Sequence, residues 1–554
     1  MTDAETATGP GGIATEDYEY DREEPHTGVF QWYLERRAAS RPDERAYTYS
    51  PLGLVNASEA AVTWSELNEE ASRLAALLAE EGVEPGEFVA TLFPPSPQFA
   101  GVYFAAAKLG ATLVPLDLRG TPSDHQHVLE ATNPVAFVGA SQYRDTDFQA
   151  ILEEVPAFGD IQSTHWLSEG YADDLPEAGE YEWTVANPDG TPNTGDTPGC
   201  TDPDAGLLVV FTSGTTGDPK GAVLTHRNVV FQGTAISASW GIDADDTVLV
   251  HLPTDHVGGA TELMGSAVVG GADVVFLDAF DPGVALQLIE SQEVSMVGNV
   301  PAMWGMLFNH DDYADTDLSS LEVAVVAGQA PSEDVLAGMA QAATHAVTGW
   351  GLTETGGFVT LTDPEAPVSE LLDTVGRAFP GFEVRTVDED DAFLPAGETG
   401  ELVVRGDGVM REFLSPEHNE GAFVDDEWVH TGDLGFVDSD GDVRLRGRKK
   451  NMYISGGYNV YPPEIEETLA DHPDVEQAMV IGVEDDSWGE AGHAFVLGRP
   501  GSDLDEATLE AYADEELADY KQPVAFTVES ELPMTALGKI DRQAIIETYE
   551  LDPV

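Results

Sequence analysis

Short apolar runs alternate along this chain with amphipathic segments of helical period, and no other feature restricts its fold as strongly. At Thr63 (TWSELNEEASRLAALLAEEG) a capping box of Thr63 with Glu66 opens a helix. Its Leu67, Ala71, Leu74 and Leu78 share one face, and Gly82 is its stop. Strands over 88–93, 111–115 and 135–139 follow, separated by helices near 97–109 and 123–131. The series resumes with strands over 247–252, 273–277, 294–298, 322–326 and 346–350. Strands separated by helices pair in parallel, because each crossover returns the chain to the same end of the sheet. Length adds that 554 residues exceed what one hydrophobic core organises, so two or more domains are expected.

Beyond residue 384 the pattern changes to short strands broken by Gly and Asp, closing in DSDGD at 438–442. Next, RLRGRKK at 444–450 gathers five of the chain's 24 basic residues. The fold class read from this is α/β. A large N-terminal domain over 29–447 holds βα subdomains with parallel sheets plus a β-rich subdomain, and a small mobile α+β C-terminal domain over 448–554 is hinged near Lys450. Residues 1–28 read as an acidic disordered tail, and turn-rich 187–204 (NPDGTPNTGDTPGCTDPD) as a surface linker.

Residues 211–221 (FTSGTTGDPKG) form a loop suited to a polyphosphate. Gly214, Gly217 and Gly221 let backbone N–H groups approach phosphate oxygens, Thr212, Ser213, Thr215 and Thr216 add hydroxyl donors, and Lys220 supplies a positive charge. The apolar run 207–211 reads as a buried strand and 225–238 as a helix, which sets the loop at a strand end, where α/β proteins bind ligands. The spacing is not that of the Walker loop, since Lys220 follows Pro219 and precedes Gly221; an ordinary P-loop nucleoside triphosphatase is disfavoured.

Charge bears on where such a fold is stable. There are 102 acidic residues against 24 basic ones, a net charge of −78, spread along the whole length. At ordinary ionic strength this surface repels itself, whereas molar salt shrinks the Debye length to about 3 Å. The expectation is a halophilic, cytoplasmic protein that binds neither nucleic acid nor anionic membranes and has no apolar run long enough for a membrane span. Lysine is scarce, with six at 108, 220, 449, 450, 521 and 539, and the last five read as retained for chemistry. Cys200 is the only cysteine, which excludes an intrachain disulfide and a cysteine-built metal site.

A family resemblance rests on eight segments: FTSGTTGDPKG (211–221), LPTDHVGG (252–259), AGQAPS (327–332), WGLTETG (350–356), GELVVRG (400–406), WVHTGDLG (428–435), GRKKNMYISGGYNVYPPEIE (447–466) and PMTALGKIDR (533–542). In this order they resemble the adenylate-forming superfamily of acyl-CoA synthetases, luciferases and nonribosomal adenylation domains. The resemblance implies activation of a small-molecule carboxylic acid by ATP with Mg²⁺, release of pyrophosphate, and transfer of the acyl group to CoA. In-line attack on the α-phosphate builds negative charge that cations and N–H donors must meet. By resemblance, Thr212, Ser213, Gly214, Thr215, Thr216, Gly217 and Lys220 hold the β- and γ-phosphates. Glu354 ligates Mg²⁺ and Thr353 bonds a phosphate oxygen. Asp433 accepts the ribose hydroxyls, Arg448 contacts ribose or phosphate, Trp350 offers a face to adenine, and Gly328, Gln329 and Ala330 lie beside it. Lys539 bridges the attacking carboxylate and the α-phosphate. Lys450 occupies the hinge about which the small domain rotates, bringing Gly456 and Gly457 to line the pantetheine channel, and His256 borders the acyl pocket. Trp350 and Gln329 depart from the residues common at those places, as does Asn451 beside the hinge.

CoA is the expected acceptor, because the chain stops twelve residues after Arg542, the span from Thr431 to Arg448 carries no insertion, and Gly456 and Gly457 are small. Gly351 leaves the acyl pocket open where acetyl-CoA synthetases carry tryptophan, and 294–308 adds Met296, Met303, Trp304, Met306 and Phe308 as a candidate apolar lining. A medium- or long-chain fatty acid is favoured, with an aryl acid such as a cinnamate or benzoate second. A catalytically silent adenylate-binding sensor or scaffold is the alternative of another class, opposed by retention of Lys220, Glu354, Asp433, Arg448 and Lys539. A homodimer stays open. The charge generates the first prediction: the protein unfolds on dilution from molar KCl into low salt, and a thermal midpoint independent of salt would refute the halophilic reading.

Overall fold

The computed structural model describes residues 28–50, 52, 60–167, 199–212, 219–485, 487–499, 501–502, 504–529, 531–533, 540–549, 551 and 553–554. The tail up to residue 27 and most of the linker read from the sequence lie outside them. Two compact units divide the chain. The first comprises Met1–Asn299, Trp304–Glu383 and Val404–Val429, and the second Val300–Met303, Val384–Val403 and His430–Val554.

The first unit contains two sheets. The larger has nine strands in the order Arg377–Ala378, Gly357–Leu361, His345–Leu352, Val323–Val326, Met296–Asn299, Thr247–Val250, Asp273–Leu277, Arg45–Ser50 and Ala60–Thr63. From His345–Leu352 across to Arg45–Ser50 every neighbouring pair is parallel, as the alternation predicts, while the outer strands turn antiparallel. The second sheet has seven strands, in the order Glu412–Phe413, Lys220–Thr225, Gly206–Thr212, Thr112–Pro115, Phe88–Leu92, Ala136–Ala140 and Ser163–Leu167. Its core is again parallel.

Local chemistry sets the helix boundaries. The helix Trp64–Glu80 is capped reciprocally: the Glu66 N–H donates to Thr63 Oγ1 at 3.2 Å, and the Thr63 N–H to Glu66 Oε2 at 2.9 Å. Leu67, Ala71, Leu74 and Leu78 are buried, as their spacing requires. The helix Pro97–Leu109 is buried at every position but Gln98, including Lys108. That lysine forms an ion pair with Glu35 of the helix Phe30–Ser40 at 2.8 Å, the two side chains being 0% and 3% exposed. Lys449 and Lys521 likewise pair with Glu401 and Glu464. Lys449 and Lys521 are therefore held in ion pairs, which narrows the reading that the last five lysines serve chemistry.

One difference from the sequence reading concerns the polyphosphate loop. A strand, Lys220–Thr225, intervenes before the helix His226–Trp240 and pairs antiparallel with Gly206–Thr212, so Lys220 opens a paired strand rather than leading directly into the helix. The reason is compositional: KGAVLT is short, apolar and followed at once by the Thr225 N-cap, so it lacks a helical period and the helical signal beyond it obscures it.

The second unit contains the antiparallel sheet Tyr458–Val460, Tyr453–Ser455, Gly489–Gly498 and Val475–Asp485, with Ala525–Glu529 added in parallel to Gly489–Gly498. Period-two alternation splits its strands between two cores. Val480 and Val496 pack with Ile465, Leu469, Leu509 and Ala513 of the helices Pro462–Ala470 and Glu506–Glu516, whereas Ile481 and Phe495 pack with Leu532 and Ile545. Removing one partner of the buried pair in the first unit is costly, because the other charge is left desolvated. Lys108→Met should lower stability by about 3–5 kcal/mol, and adding Glu35→Leu should restore much of the loss, both read from denaturant unfolding in high salt.

Candidate active site

The C-terminal ends of the parallel strands in the nine-stranded sheet line up Pro253 to His256, Asn299, Gly328 to Ala330 and the turn Thr353–Thr355 along one edge. Strand ends of this kind are where open α/β sheets receive ligands. Gly328, Gln329 and Ala330 are exposed there, and Glu354 is partly exposed. Trp350, by contrast, is only 6% exposed, so little of its ring is offered to solvent.

Three neighbours hold the Glu354 turn through its backbone. From the helix His226–Trp240, the buried Gln232 amide donates to the Thr355 and Phe358 carbonyls at 2.9 and 2.6 Å. The Thr261 hydroxyl lies 2.6 Å from the Gly356 carbonyl, and the Met410 N–H donates to the Glu354 carbonyl at 2.7 Å. Gly356 and Gly357, with φ of 69° and 135°, let the chain turn back into the strand Gly357–Leu361. Asn228 completes the frame by donating to the carbonyls of Asp407 and Val409, both at 2.8 Å.

The same segment reaches the phosphate-loop hairpin. Glu412–Phe413 pairs with the strand Lys220–Thr225, and the Arg411 N–H donates to the Val223 carbonyl at 3.0 Å. Residues 410–413 thus bridge the hairpin that carries Lys220 and the turn that carries Glu354. At the loop's feet, Thr212 pairs with Lys220 in register, His127 Nε2 lies 2.9 Å from the Pro219 carbonyl, and Lys220 Nζ sits 5.5 Å from the centre of the Phe413 ring. Ser213, Gly214, Thr215, Thr216 and Gly217, and Lys539, lie outside the described residues.

His256 precedes a π-helical turn, Gly258–Leu263, and its Nδ1 accepts the Gly258 N–H at 3.0 Å. That turn aims Glu262 at the backbone of Gly357. Burial pushes the Glu262 carboxyl up to about 8, opposed by a hydrogen bond from the Phe358 backbone. A side chain on Gly351 would begin 2.1 Å from the Gly357 carbonyl oxygen, so strand pairing demands glycine there whatever acyl group is bound. The segment proposed as an apolar lining is divided. Met296 and Trp304 are buried, Trp304 Nε1 donates to the Val325 carbonyl at 2.9 Å, and Phe308 stacks on Trp304; Met306 is 50% exposed and Met303 partly exposed. Core packing accounts for Met296, Trp304 and Phe308.

In the second unit the hairpin of Trp428–Val437 and Val443–Arg448 brings Asp433 opposite Arg448, with Nε and Oδ1 2.6 Å apart. Glu401 anchors the turn before Asp433. It accepts the Gly432 N–H at 3.0 Å, and lies 3.2 Å from His430 Nδ1 and 2.8 Å from Lys449 Nζ. Burial alone would raise Glu401, but the hydrogen bonds from His430 and Lys449 prevail and lower it to about 2. Lys450 is lowered to about 8 by burial and then by Arg448 and Arg542, against the pull of Asp433. Gly456 and Gly457, with φ of 58° and 88°, make the two-residue turn between Tyr453–Ser455 and Tyr458–Val460. A Cβ on Gly456 would meet the Trp488 ring at 2.9 Å, whereas Gly457 faces open space.

Among the described residues no three His, Cys, Asp or Glu side chains converge as a metal cage. A lone carboxylate such as Glu354 fits Mg²⁺, which keeps most of its waters and is held with substrate phosphates. Sequence reading missed Gln232, Thr261, Glu262, Glu401 and Trp488. Gln232 and Glu262 did carry a signal, each being a polar residue within an apolar stretch, NVVFQGTA and VGGATELMGSAVVGGA.

Residues 34–414 match the AMP-binding enzyme family and residues 464–539 the AMP-binding enzyme C-terminal domain. Similar curated proteins include a feruloyl-CoA synthase of Amycolatopsis sp, 33% identical over 93% of this chain and 97% of its own length. A long-chain-fatty-acid–CoA ligase of Mycobacterium tuberculosis is 30% identical over 94% and 98%. Among solved structures, ATP-bound MatB from Rhodopseudomonas palustris superposes with a TM-score of 0.81 at 25% identity, covering 94% of this chain and 99% of that one. Substituting Gln232 tests how the Glu354 turn is held. Gln232→Met leaves two carbonyls without their donor, and should cost about 1–3 kcal/mol and speed amide hydrogen exchange over 353–358. Unchanged protection there would show that the turn is held by other means.

Proposed function

The chain belongs to the AMP-binding enzyme family as an AMP-forming acid–CoA ligase, and we propose how its residues divide the two half-reactions. The observation that carries this reading is the bridge of residues 410–413, which ties the Lys220 hairpin to the Glu354 turn at one strand-end edge. In adenylation, Lys220 with the loop residues Thr212 to Gly217 grips the leaving β- and γ-phosphates. Glu354 holds the Mg²⁺, which supplies positive charge to the phosphates, and Thr353 bonds a phosphate oxygen. Asp433, anchored through Glu401, receives the ribose hydroxyls, with Arg448 beside it. An ionised carboxylate accepts two hydroxyls at once, which suits Asp433 to that task.

Lys539 neutralises the attacking carboxylate and the α-phosphate in this first step. For thioester formation the small domain rotates at Lys450, and Gly456 and Gly457 admit the pantetheine arm. The open space at Gly457 supports that assignment. His256 stands beside the acyl group. Relatives named for ferulate and for long-chain fatty acids keep both of those acid classes in view.

Acid-dependent pyrophosphate exchange in molar KCl, run over a panel of aliphatic and aryl acids, tests the assignment. Lys539→Ala should abolish exchange yet leave thioester formation from supplied acyl-AMP within a few-fold of wild type, about what removal of a charge used only in the first transition state produces. Equal loss of both half-reactions would count against a rotating domain, and no exchange with any acid would overturn the reading of the site.

A further inference from the structure

Glu262 is the single charged residue between 257 and 272, in a stretch otherwise made of Val, Gly, Ala, Thr, Leu, Met and Ser. Its carboxyl occupies a seat cleared by glycine. A Cβ on Gly357 would lie 2.8 Å from Glu262 Cγ and 2.9 Å from Oε1, and a Cβ on Gly258 would lie 3.7 Å from Oε2. Any other residue at 357 would also have to adopt a φ of 135°. The turn that presents Glu262 is π-helical, a local widening that costs backbone hydrogen bonding and recurs at functional sites.

The carboxyl is enclosed on two sides by backbone and receives the Phe358 N–H, yet the residue remains partly exposed. Among the described residues no Lys or Arg forms an ion pair with it. Burial favours its protonated form. A protonated carboxyl offers one O–H donor and retains acceptor capacity, so one backbone donor does not exhaust it. An enclosed polar group is costly unless a partner completes its hydrogen bonds. Across the seat lies the hairpin of Gly351 to Phe358, which carries Thr353 and Glu354, and six residues earlier lies His256, assigned to the acyl side of the site.

We propose that Glu262 is a specificity-determining residue that hydrogen-bonds an oxygen substituent on the acyl group, so that the preferred substrates are hydroxy- or keto-bearing carboxylic acids rather than plain alkyl ones. This rests on the acid–CoA ligase reading of the site and names its substrate class. It turns preference away from the fatty acid favoured on Gly351 and the apolar segment 294–308 and toward acids such as phenolic ones.

Matched acids differing by one oxygen test it: 3-phenylpropanoate against 3-(4-hydroxyphenyl)propanoate, cinnamate against 4-hydroxycinnamate, and octanoate against 7-oxooctanoate. For each, kcat/KM in pyrophosphate exchange is measured with the full chain, with Glu262→Gln and with Glu262→Leu. Wild type should favour the oxygenated member of at least one pair by about tenfold or more, and Glu262→Leu should bring that pair to within about threefold, while Glu262→Gln retains part of the preference. Exchange with these acids but no wild-type preference, or a preference that survives Glu262→Leu, overturns this inference and leaves the ligase reading intact. If Glu262→Leu does not fold, the wild-type comparison still decides. A stronger preference for amino-substituted analogues would make Glu262 a carboxylate partner of cations and likewise overturn it. Failure of every acid to drive exchange overturns the ligase reading itself, which is a distinguishable result.

Discussion

The turn that carries Glu354 is held by its backbone. Gln232 binds two of its carbonyls, Thr261 meets a third, and Met410 donates to Glu354 itself. Placement of the turn therefore falls to the Gln232 and Thr261 side chains and the Met410 N–H, all acting on backbone carbonyls. Because Met410 belongs to the segment that also adds a strand beside Lys220–Thr225, the constraint extends to the foot of the phosphate loop. Two segments more than a hundred residues apart in sequence thereby share one rigid frame.

Scarcity of cations shapes the rest of the molecule. With 24 basic residues against 102 acidic ones, an attractive partner is easy to find for any lysine, and Lys108, Lys449 and Lys521 each pair with a glutamate. The cluster at Arg448, Lys450 and Arg542 runs the other way. Like charges there lower Lys450 to about 8 after burial has done so, and Asp433 offsets only part of that effect. A local positive field is kept beside Asp433 although the global field is strongly negative, and such a field favours an anionic ligand.

Much of the fold was legible because it rests on local rules. Thr63 with Glu66 announced a helix start, and the apolar runs from 88 to 350 announced parallel strands, since both signals depend only on near neighbours in sequence. The strand Lys220–Thr225 was hidden because six residues cannot display a period distinct from the helix that follows. Trp304 and Phe308 looked like a ligand lining because hydrophobicity does not reveal which way a side chain faces; both proved to pack in the core. Gly351 looked like a vacancy, and the approach of the Gly357 carbonyl showed that two strands need that space.

The amino-acid sequence by itself determined the residue types of the site, the order of the motifs and the parallel α/β architecture, because composition, spacing and capping act over a few residues. Tertiary structure alone decided that Gln232 serves the Glu354 turn, that Asp433 meets Arg448, and that Glu262 reaches the Gly357 backbone. Each of those contacts joins segments brought together only by sheet and helix packing, and its strength depends on a desolvation that no linear string records.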